Sequence, residues 1–229
     1  MLIGGLQKFS LIDYPNKIAA IVFTQGCYFR CRYCHNPNLV LESNFQNRID
    51  EKDFFSFLET RINKLDAVVI TGGEPTIQKD LKEFIKKIKD LNFSVKLDTS
   101  GINPNILQDL IESNLLDYIA MDIKAPLEKY KEIIQRDIDT SKISQSINLI
   151  MSSNVDYEFR TTLVDKLHIK EDPIKIAKLI KGSKKYILQK FVSNEILDPN
   201  LKNYKSFSDD IFNYLQKELL KFIKKVSIR

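Results

Sequence analysis

The chain is 229 residues long, 43% hydrophobic, and carries a formal charge of +5 from 35 Lys and Arg against 30 Asp and Glu. That length suits one globular unit with a sizeable core. No apolar run is long enough to span a bilayer, and the Met1-Leu-Ile-Gly-Gly start lacks the basic and apolar regions of a secretory leader. The sequence therefore reads as a single soluble, cytoplasmic domain over 1–229, with no membrane partner. Its lysines alternate with acids, as from Lys79 to Asp90. That pattern is a solvated helix face, not the basic stripe with interleaved aromatics of a nucleic-acid binder.

Leu2 to Phe9 is predicted as a short edge strand, inside an N-terminal edge segment over 1–17. Asp13-Tyr-Pro-Asn16 is turn chemistry, because Pro presets φ and Asn tolerates a left-handed backbone. Ile18 to Thr24 is a near-continuous apolar run, the mark of a strand buried on both faces of a parallel sheet. A loop with Cys27, Cys31 and Cys34 follows it. A helix is predicted over Asp50 to Lys64, with Asp50 as N-cap and Phe54, Leu58, Ile62 and Leu65 on one face. Asp66 to Thr71 is a strand ending in Gly72-Gly73-Glu74-Pro75. Asp80 to Leu91 is a helix, with Leu81, Phe84, Ile85 and Ile88 at helical spacing. Phe93 to Thr99 is a strand, and Asn103-Pro104 opens a helix. Leu116 to Ile123 is a strand, Pro126 starts a helical stretch, and Ser141 to Met151 has helical period. Val155 to Val164 is a strand, Asp172-Pro173 a further capped helix start, and Lys185 to Val192 a strand. A C-terminal extension over 193–229 ends in an amphipathic helix, Ser208 to Lys225, with Ile211, Leu215, Leu219 and Phe222 in line.

About six strands, each followed by helix, predict an α/β fold. Repeated βαβ units give a parallel sheet with right-handed crossovers and outer helices. Six units make a partial (β/α)6 barrel, short of the eight that close one. In such folds sites gather at the C-terminal ends of the strands. Polar residues recur there: the three cysteines; Gly72, Gly73 and Glu74; Asp98 and Ser100; Asp122 and Lys124; Arg160; and Gln189. The two glycines let a backbone approach a ligand and leave N–H and C=O groups free for it, and Glu74 could accept from an ammonium. Asp122 and Lys124 share one strand face and need each other, a ligand or water. The plain alternatives are an ordinary βα turn and a buried ion pair. His168 sits among charged residues and reads as exposed on a loop.

The cysteines are all the protein has, in a C-x3-C-x2-C pattern. Thiolates bind iron–sulfur clusters, and four normally fill a four-iron cubane. Three would leave one iron without a protein ligand, as catalytic metal sites do. An odd count and no leader argue against disulfides. Structural zinc with His35 as fourth ligand, and three unrelated buried thiols, stay open.

The C-x3-C-Φ-C pattern, with Tyr33 as the aromatic Φ, resembles the radical S-adenosylmethionine (SAM) superfamily. The resemblance implies an open barrel, a [4Fe–4S] cluster on Cys27, Cys31 and Cys34, and SAM on the fourth iron. It also implies SAM contacts from Gly72-Gly73-Glu74 to the amino group, Tyr33 to the adenine, Asp122 to the ribose, and Lys124 or Arg160 to the carboxylate. Asp98, Ser100 and Gln189 complete the implied SAM site, and no residue beyond cluster and SAM is catalytic. Gly4 to Pro15, Phe23-Thr-Gln-Gly-Cys27, Cys34-His-Asn-Pro37, Thr71 to Thr76, Asp98 to Gly101, Tyr118 to Pro126 and Phe159 to Val164 are similar to the activating proteins of anaerobic ribonucleoside-triphosphate reductases. Asn16 stands where that group has Gly, and Ser100 where related activases often have Asn. The implied function is a radical SAM oxidoreductase that cleaves SAM reductively and generates a glycyl radical on the reductase. Its implied partners are that glycyl-radical protein and a flavodoxin or ferredoxin electron donor. With no spare cysteine for an auxiliary cluster, the alternatives are an activase of another glycyl-radical enzyme, a small-molecule enzyme of the 7-deazaguanine type, or a zinc or iron–sulfur binding module.

Overall fold

Uninterrupted apolar runs become the inner strands, because a strand covered on both faces has no position for a solvated side chain. In the computed structural model, which describes residues 1–45 and 48–229, β1 (Ile3–Ser10), β2 (Ala19–Thr24), β3 (Ala67–Gly72), β4 (Ser94–Thr99), β5 (Tyr118–Asp122), β6 (Asp156–Leu163), β7 (Tyr186–Lys190) and β8 (Val226–Ile228) form one eight-stranded sheet in sequence order. The strands from β2 to β8 are mutually parallel. β1 is antiparallel to β2. Among the described residues no pairing returns from β8 to β1, so the sheet is a barrel left open on one side.

The connecting helices are α1 (Pro37–Val40), α2 (Glu51–Glu59), α3 (Leu81–Asp90), α4 (Pro104–Glu112), α5 (Tyr130–Ile134), α6 (Ser141–Ser152), α7 (Glu171–Leu179) and α8 (Asp209–Leu219). None is long and apolar enough to cross a membrane. Alternation along the strands separates two apolar layers. Ala20, Val22, Val68 and Ile70 belong to the main core beneath the helices. Ala19, Ile21, Ala67 and Val69 join Tyr14 and Tyr118 in a smaller cluster inside the barrel. From β4 onward the barrel interior turns charged, with Lys96, Glu158 and Arg160 all buried. Glu158 binds Tyr118, Lys185 and Arg229. The interior is thus an apolar wall facing a charged one.

Several boundaries depart from expectation. α2 stops at Glu59, and turns follow through Lys64 with Asn63 at φ 62°; Ile62 is exposed. α7 starts at Glu171 with Lys170 as its N-cap, because the Asp172 carboxylate is bound to Lys129 and to the Ile169 N–H. α8 ends at Leu219, and the tail beyond it pairs with β7 as β8. Asn16 does take the left-handed backbone, at φ 60°.

Candidate active site

Each βα junction delivers its polar group to one end of the barrel, since parallel strands point their C-termini the same way. A cleft of about 250 Å³ lies there. Every candidate residue lines it: Cys27, Cys31, Tyr33 and Cys34 after β2; Gly72, Gly73 and Glu74 after β3; Asp98 and Ser100 at β4; Asp122 and Lys124 at β5; Arg160 on β6; and Gln189 on β7. Phe29, His35, Asn36, Val40, Thr71, Thr99 and Thr162 complete its wall.

The cysteine loop is anchored by its own backbone and by β3. The Cys34 N–H donates to the Cys31 carbonyl at 2.9 Å. The Gly73 and Glu74 N–H groups donate to the Thr24 and Gly26 carbonyls, both at 2.8 Å. These amides are therefore spent on the protein, where the sequence left them free for a ligand. The glycines are needed for a different reason. A Cβ on Gly73 would sit 2.0 Å from the Gly26 carbonyl oxygen, and one on Gly72, whose φ is +108°, would sit 2.4 Å from the Thr24 nitrogen. Both clashes are with backbone, which cannot step aside cheaply. Gly73→Ala is expected to push the β3 turn off the cysteine loop, lowering both the melting temperature and the iron retained after reconstitution. Unchanged iron content would show that the close approach is dispensable.

Glu74 also differs from its expected form. It is 2% exposed. One carboxylate oxygen accepts from the Thr76 N–H, the Thr76 hydroxyl and the Thr99 hydroxyl at 3.2, 2.6 and 2.7 Å; the other accepts from the Ser100 N–H and hydroxyl. A carboxylate has about four acceptor sites, so Glu74 is saturated. It brackets the β3 turn to the β4 turn.

Across β4, β5 and β6 runs a ladder of fixed charges. Lys96 Nζ donates to one oxygen of Asp98 at 2.6 Å, and Arg160 Nη1 to the other at 2.9 Å. Arg160 Nε donates to one oxygen of Asp122 at 2.7 Å, and Lys124 Nζ to the other at 3.1 Å. Burial opposes ionisation of Asp122, but Arg160 and Lys124 outweigh it and hold the carboxyl well below the usual range. Burial likewise works against the Lys124 charge, and Asp122 more than restores it, leaving Lys124 well above an ordinary lysine. Three cations against two carboxylates leave one positive charge in excess, which suits an anionic ligand group. Lys96 was not among the residues the sequence singled out. Its signal was there: a lysine in an otherwise apolar strand, two residues before Asp98 and hence on the same face.

His168 is not exposed, as the sequence suggested, but 2% accessible. Its Nδ1 accepts from the Val164 N–H at 3.2 Å, and its Nε2 donates to the Lys124 carbonyl at 2.9 Å. Burial lowers its basicity, consistent with a neutral ring. The Tyr130 hydroxyl accepts from the Lys124 N–H at 3.1 Å. Lys124 is thus pinned on both sides of its backbone. The Gln189 amide oxygen accepts from Thr162 at 3.3 Å.

The donor set fits an iron–sulfur cluster. Burial, and then Glu74, pushes the Cys27 thiol up to about 12; burial pushes Cys31 up to about 12 and raises Cys34. The thiols also oppose one another's ionisation, Cys31 and Cys34 acting on Cys27 and Cys34 on Cys31, as neighbours do. As metal ligands they would have to give up these protons, since the thiolate is the binding form. Among the described residues no three Cys, His, Asp or Glu side chains, the three cysteines included, are grouped about one single-ion position; a four-iron cluster instead takes each thiolate on a different iron. His35 Nε2 is hydrogen-bonded to the Val192 carbonyl at 2.7 Å, and its ring stacks on Phe191. The Tyr33 hydroxyl is buried with no hydrogen-bond partner. Tyr33 is one of the residues lining the cleft, and an unsatisfied buried polar atom calls for an explanation such as a missing partner.

Residues 21–180 match the sequence model of the radical SAM superfamily. A protein of Methanocaldococcus jannaschii named as a glycyl-radical enzyme activating enzyme is 36% identical over 100% of this chain and 95% of its own length. A second M. jannaschii protein of the same description is 28% identical over 92% of this chain and 76% of its own. The crystal structure of Streptococcus suis SuiB bound to S-adenosylmethionine superposes with a TM-score of 0.67 at 13% identity, over 89% of this chain and 48% of that one.

Proposed function

Because the chain belongs to the radical SAM superfamily, whose enzymes work with a [4Fe–4S] cluster and S-adenosylmethionine, we propose that it activates a glycyl-radical enzyme, and that its target is an anaerobic ribonucleoside-triphosphate reductase. The activase reading is carried by the likeness to the M. jannaschii protein along the whole chain. The choice of reductase is supported by the motif runs, above all Gly4 to Pro15 and Phe159 to Val164.

In this reading Cys27, Cys31 and Cys34 hold the cluster. When bound, cluster and SAM supply a one-electron reduction of the sulfonium and a group able to take a hydrogen atom from carbon. The residues of this chain orient and insulate. Lys124 and Arg160 meet the SAM carboxylate with the surplus positive charge of the ladder. Asp122 faces the ribose, and the Tyr33 ring and hydroxyl flank the adenine. Gly72, Gly73 and Glu74 shape the turn beside the amino group; with Glu74 saturated, its share is structural unless Thr99 or Ser100 yields to the ligand. Phe29 and Val40 give the cleft apolar lining, and excluding water there would strengthen the charges inside. Asp122 stays ionised and Lys124 stays charged at neutral pH, so the ladder holds position and relays no proton. A flavodoxin or ferredoxin supplies the electron.

The test is direct. Reduced, SAM-loaded protein mixed with the anaerobic reductase is expected to give the EPR doublet of a glycyl radical on the partner. No doublet with the reductase, and a doublet with another glycyl-radical protein, would move the target without touching the activase. No doublet with any such partner would remove the activase.

A further inference from the structure

Two arginines converge on the cysteine loop from outside the cleft. Arg30 Nη1 donates to the Cys27 carbonyl at 2.6 Å and to the Phe29 carbonyl at 2.8 Å, and lies 3.5 Å from the Tyr28 carbonyl. Arg136 Nε donates to the Tyr28 carbonyl at 3.3 Å. The Arg30 N–H is itself tied to the Ile134 carbonyl at the end of α5, at 2.8 Å. The carbonyls of Cys27, Tyr28 and Phe29, three of the four between the first and second thiols, thus turn toward guanidinium groups, and Arg30 is the residue immediately before Cys31. Arg30 does not line the cleft, so a role in holding substrate does not explain it.

We propose that Arg30, with Arg136 behind it, is a positioning residue of the cysteine loop that fixes the loop carbonyls and sets the reduction potential of the metal centre bound there. The inference rests on the reading that Cys27, Cys31 and Cys34 hold an iron–sulfur cluster. A guanidinium is always protonated, so its charge is permanent. A cluster on three thiolates gains negative charge when it takes up an electron. A fixed cation close by stabilises the reduced form more than the oxidised one and raises the potential, since net charge and nearby hydrogen bonds are the protein's main levers on it. The same contacts restrain the loop, because three carbonyls facing one another repel unless a donor lies between them.

Charge and clamp can be separated by substitution. Arg30→Gln keeps an N–H donor and loses the charge. Arg30→Lys keeps the charge on a group that cannot copy the planar fork. Arg30→Met loses both. Each protein is reconstituted anaerobically, its iron and sulfide are counted, and the cluster is titrated with dithionite and followed by EPR. Arg30→Gln is expected to show a midpoint potential more negative than the wild type, and Arg30→Lys to return toward it. Arg30→Met is expected to show the negative shift and a cluster lost several-fold faster to a chelator. Full cluster content in Arg30→Gln and Arg30→Met, with the wild-type potential, would overturn the assignment. If the Arg30 variants shed their iron, exposed Arg136 decides: Arg136→Gln at the wild-type potential overturns the charge effect, and a smaller negative shift supports it. Wild-type protein that takes up no iron would overturn the site itself, a result distinct from an intact cluster with an unmoved potential.

Discussion

Cys31→Ala is expected to fold and to be inert. The protein should stay colourless after reconstitution with iron and sulfide, and its formation of 5′-deoxyadenosine from SAM should fall to background. Cys31 is the middle thiol of the loop and is 7% exposed, so water cannot replace it as a ligand without opening the core. Two remaining cysteines cannot hold a four-iron cluster that normally takes four ligands. The substitution removes one small buried sulfur and no hydrogen-bonded charge, and so costs about 1 kcal/mol of stability or less. Far-UV circular dichroism is therefore expected to match the wild type. A brown, SAM-cleaving Cys31→Ala protein would contradict the ligand assignment.

Arg160→Met is expected to give a large loss of stability at neutral pH. Arg160 is the shared centre of the ladder, bound to Asp98 and Asp122 at once. Its removal leaves each carboxylate with one lysine and one unpaired oxygen. Breaking a buried ion pair by removing one partner costs about 3–5 kcal/mol; because both lysines remain, the lower end, about 3 kcal/mol, is expected. Asp122 is more acidic folded than unfolded. Its pairing therefore adds stability above the unfolded carboxylate pKa of about 3.9, and that contribution fades as pH falls through the lower folded value. The difference between Arg160→Met and wild type should be full at pH 7 and shrink below about pH 4. Urea denaturation of the metal-free proteins under reducing conditions, at both pH values, checks this. A difference that does not change with pH would mean that Arg160 acts by packing alone. The variant also loses the surplus positive charge, so its SAM affinity is expected to fall by about 10-fold or more, as for loss of one hydrogen bond to a charged group.

The parallel core was legible because buried strands announce themselves. Ile18 to Thr24 and Asp66 to Thr71 have no polar interruption, and their polar residues come only where the chain leaves the sheet. The candidate residues were legible for the same reason, since a polar group at the end of an apolar run is out of place unless it serves the mouth of the barrel. β8 was not. Phe222 and Val226 continue the spacing of α8, no Gly or Pro marks the break, and three residues become a strand only because β7 offers them an edge. His168 misled through its neighbours: Asp165, Lys166 and Lys170 are polar, while the imidazole turns back to Val164 and Lys124. Glu74 and Gly73 were found as residues, but their bonds were not. Whether an amide faces a ligand or the next loop depends on how closely β3 approaches Gly26, which is a tertiary fact. Lys96 had a local signal, its place two residues before Asp98 on one strand face, but that the pair is enclosed with Arg160 is a fact of the barrel interior.

The account depends most on what three thiols bind at the mouth of this barrel. The decisive measurement is anaerobic reconstitution of the unmodified chain, counting iron, sulfide and zinc, followed by dithionite and SAM. About four irons and four sulfides per chain, with release of 5′-deoxyadenosine, is the predicted result. One zinc per chain, no colour and intact SAM would contradict it.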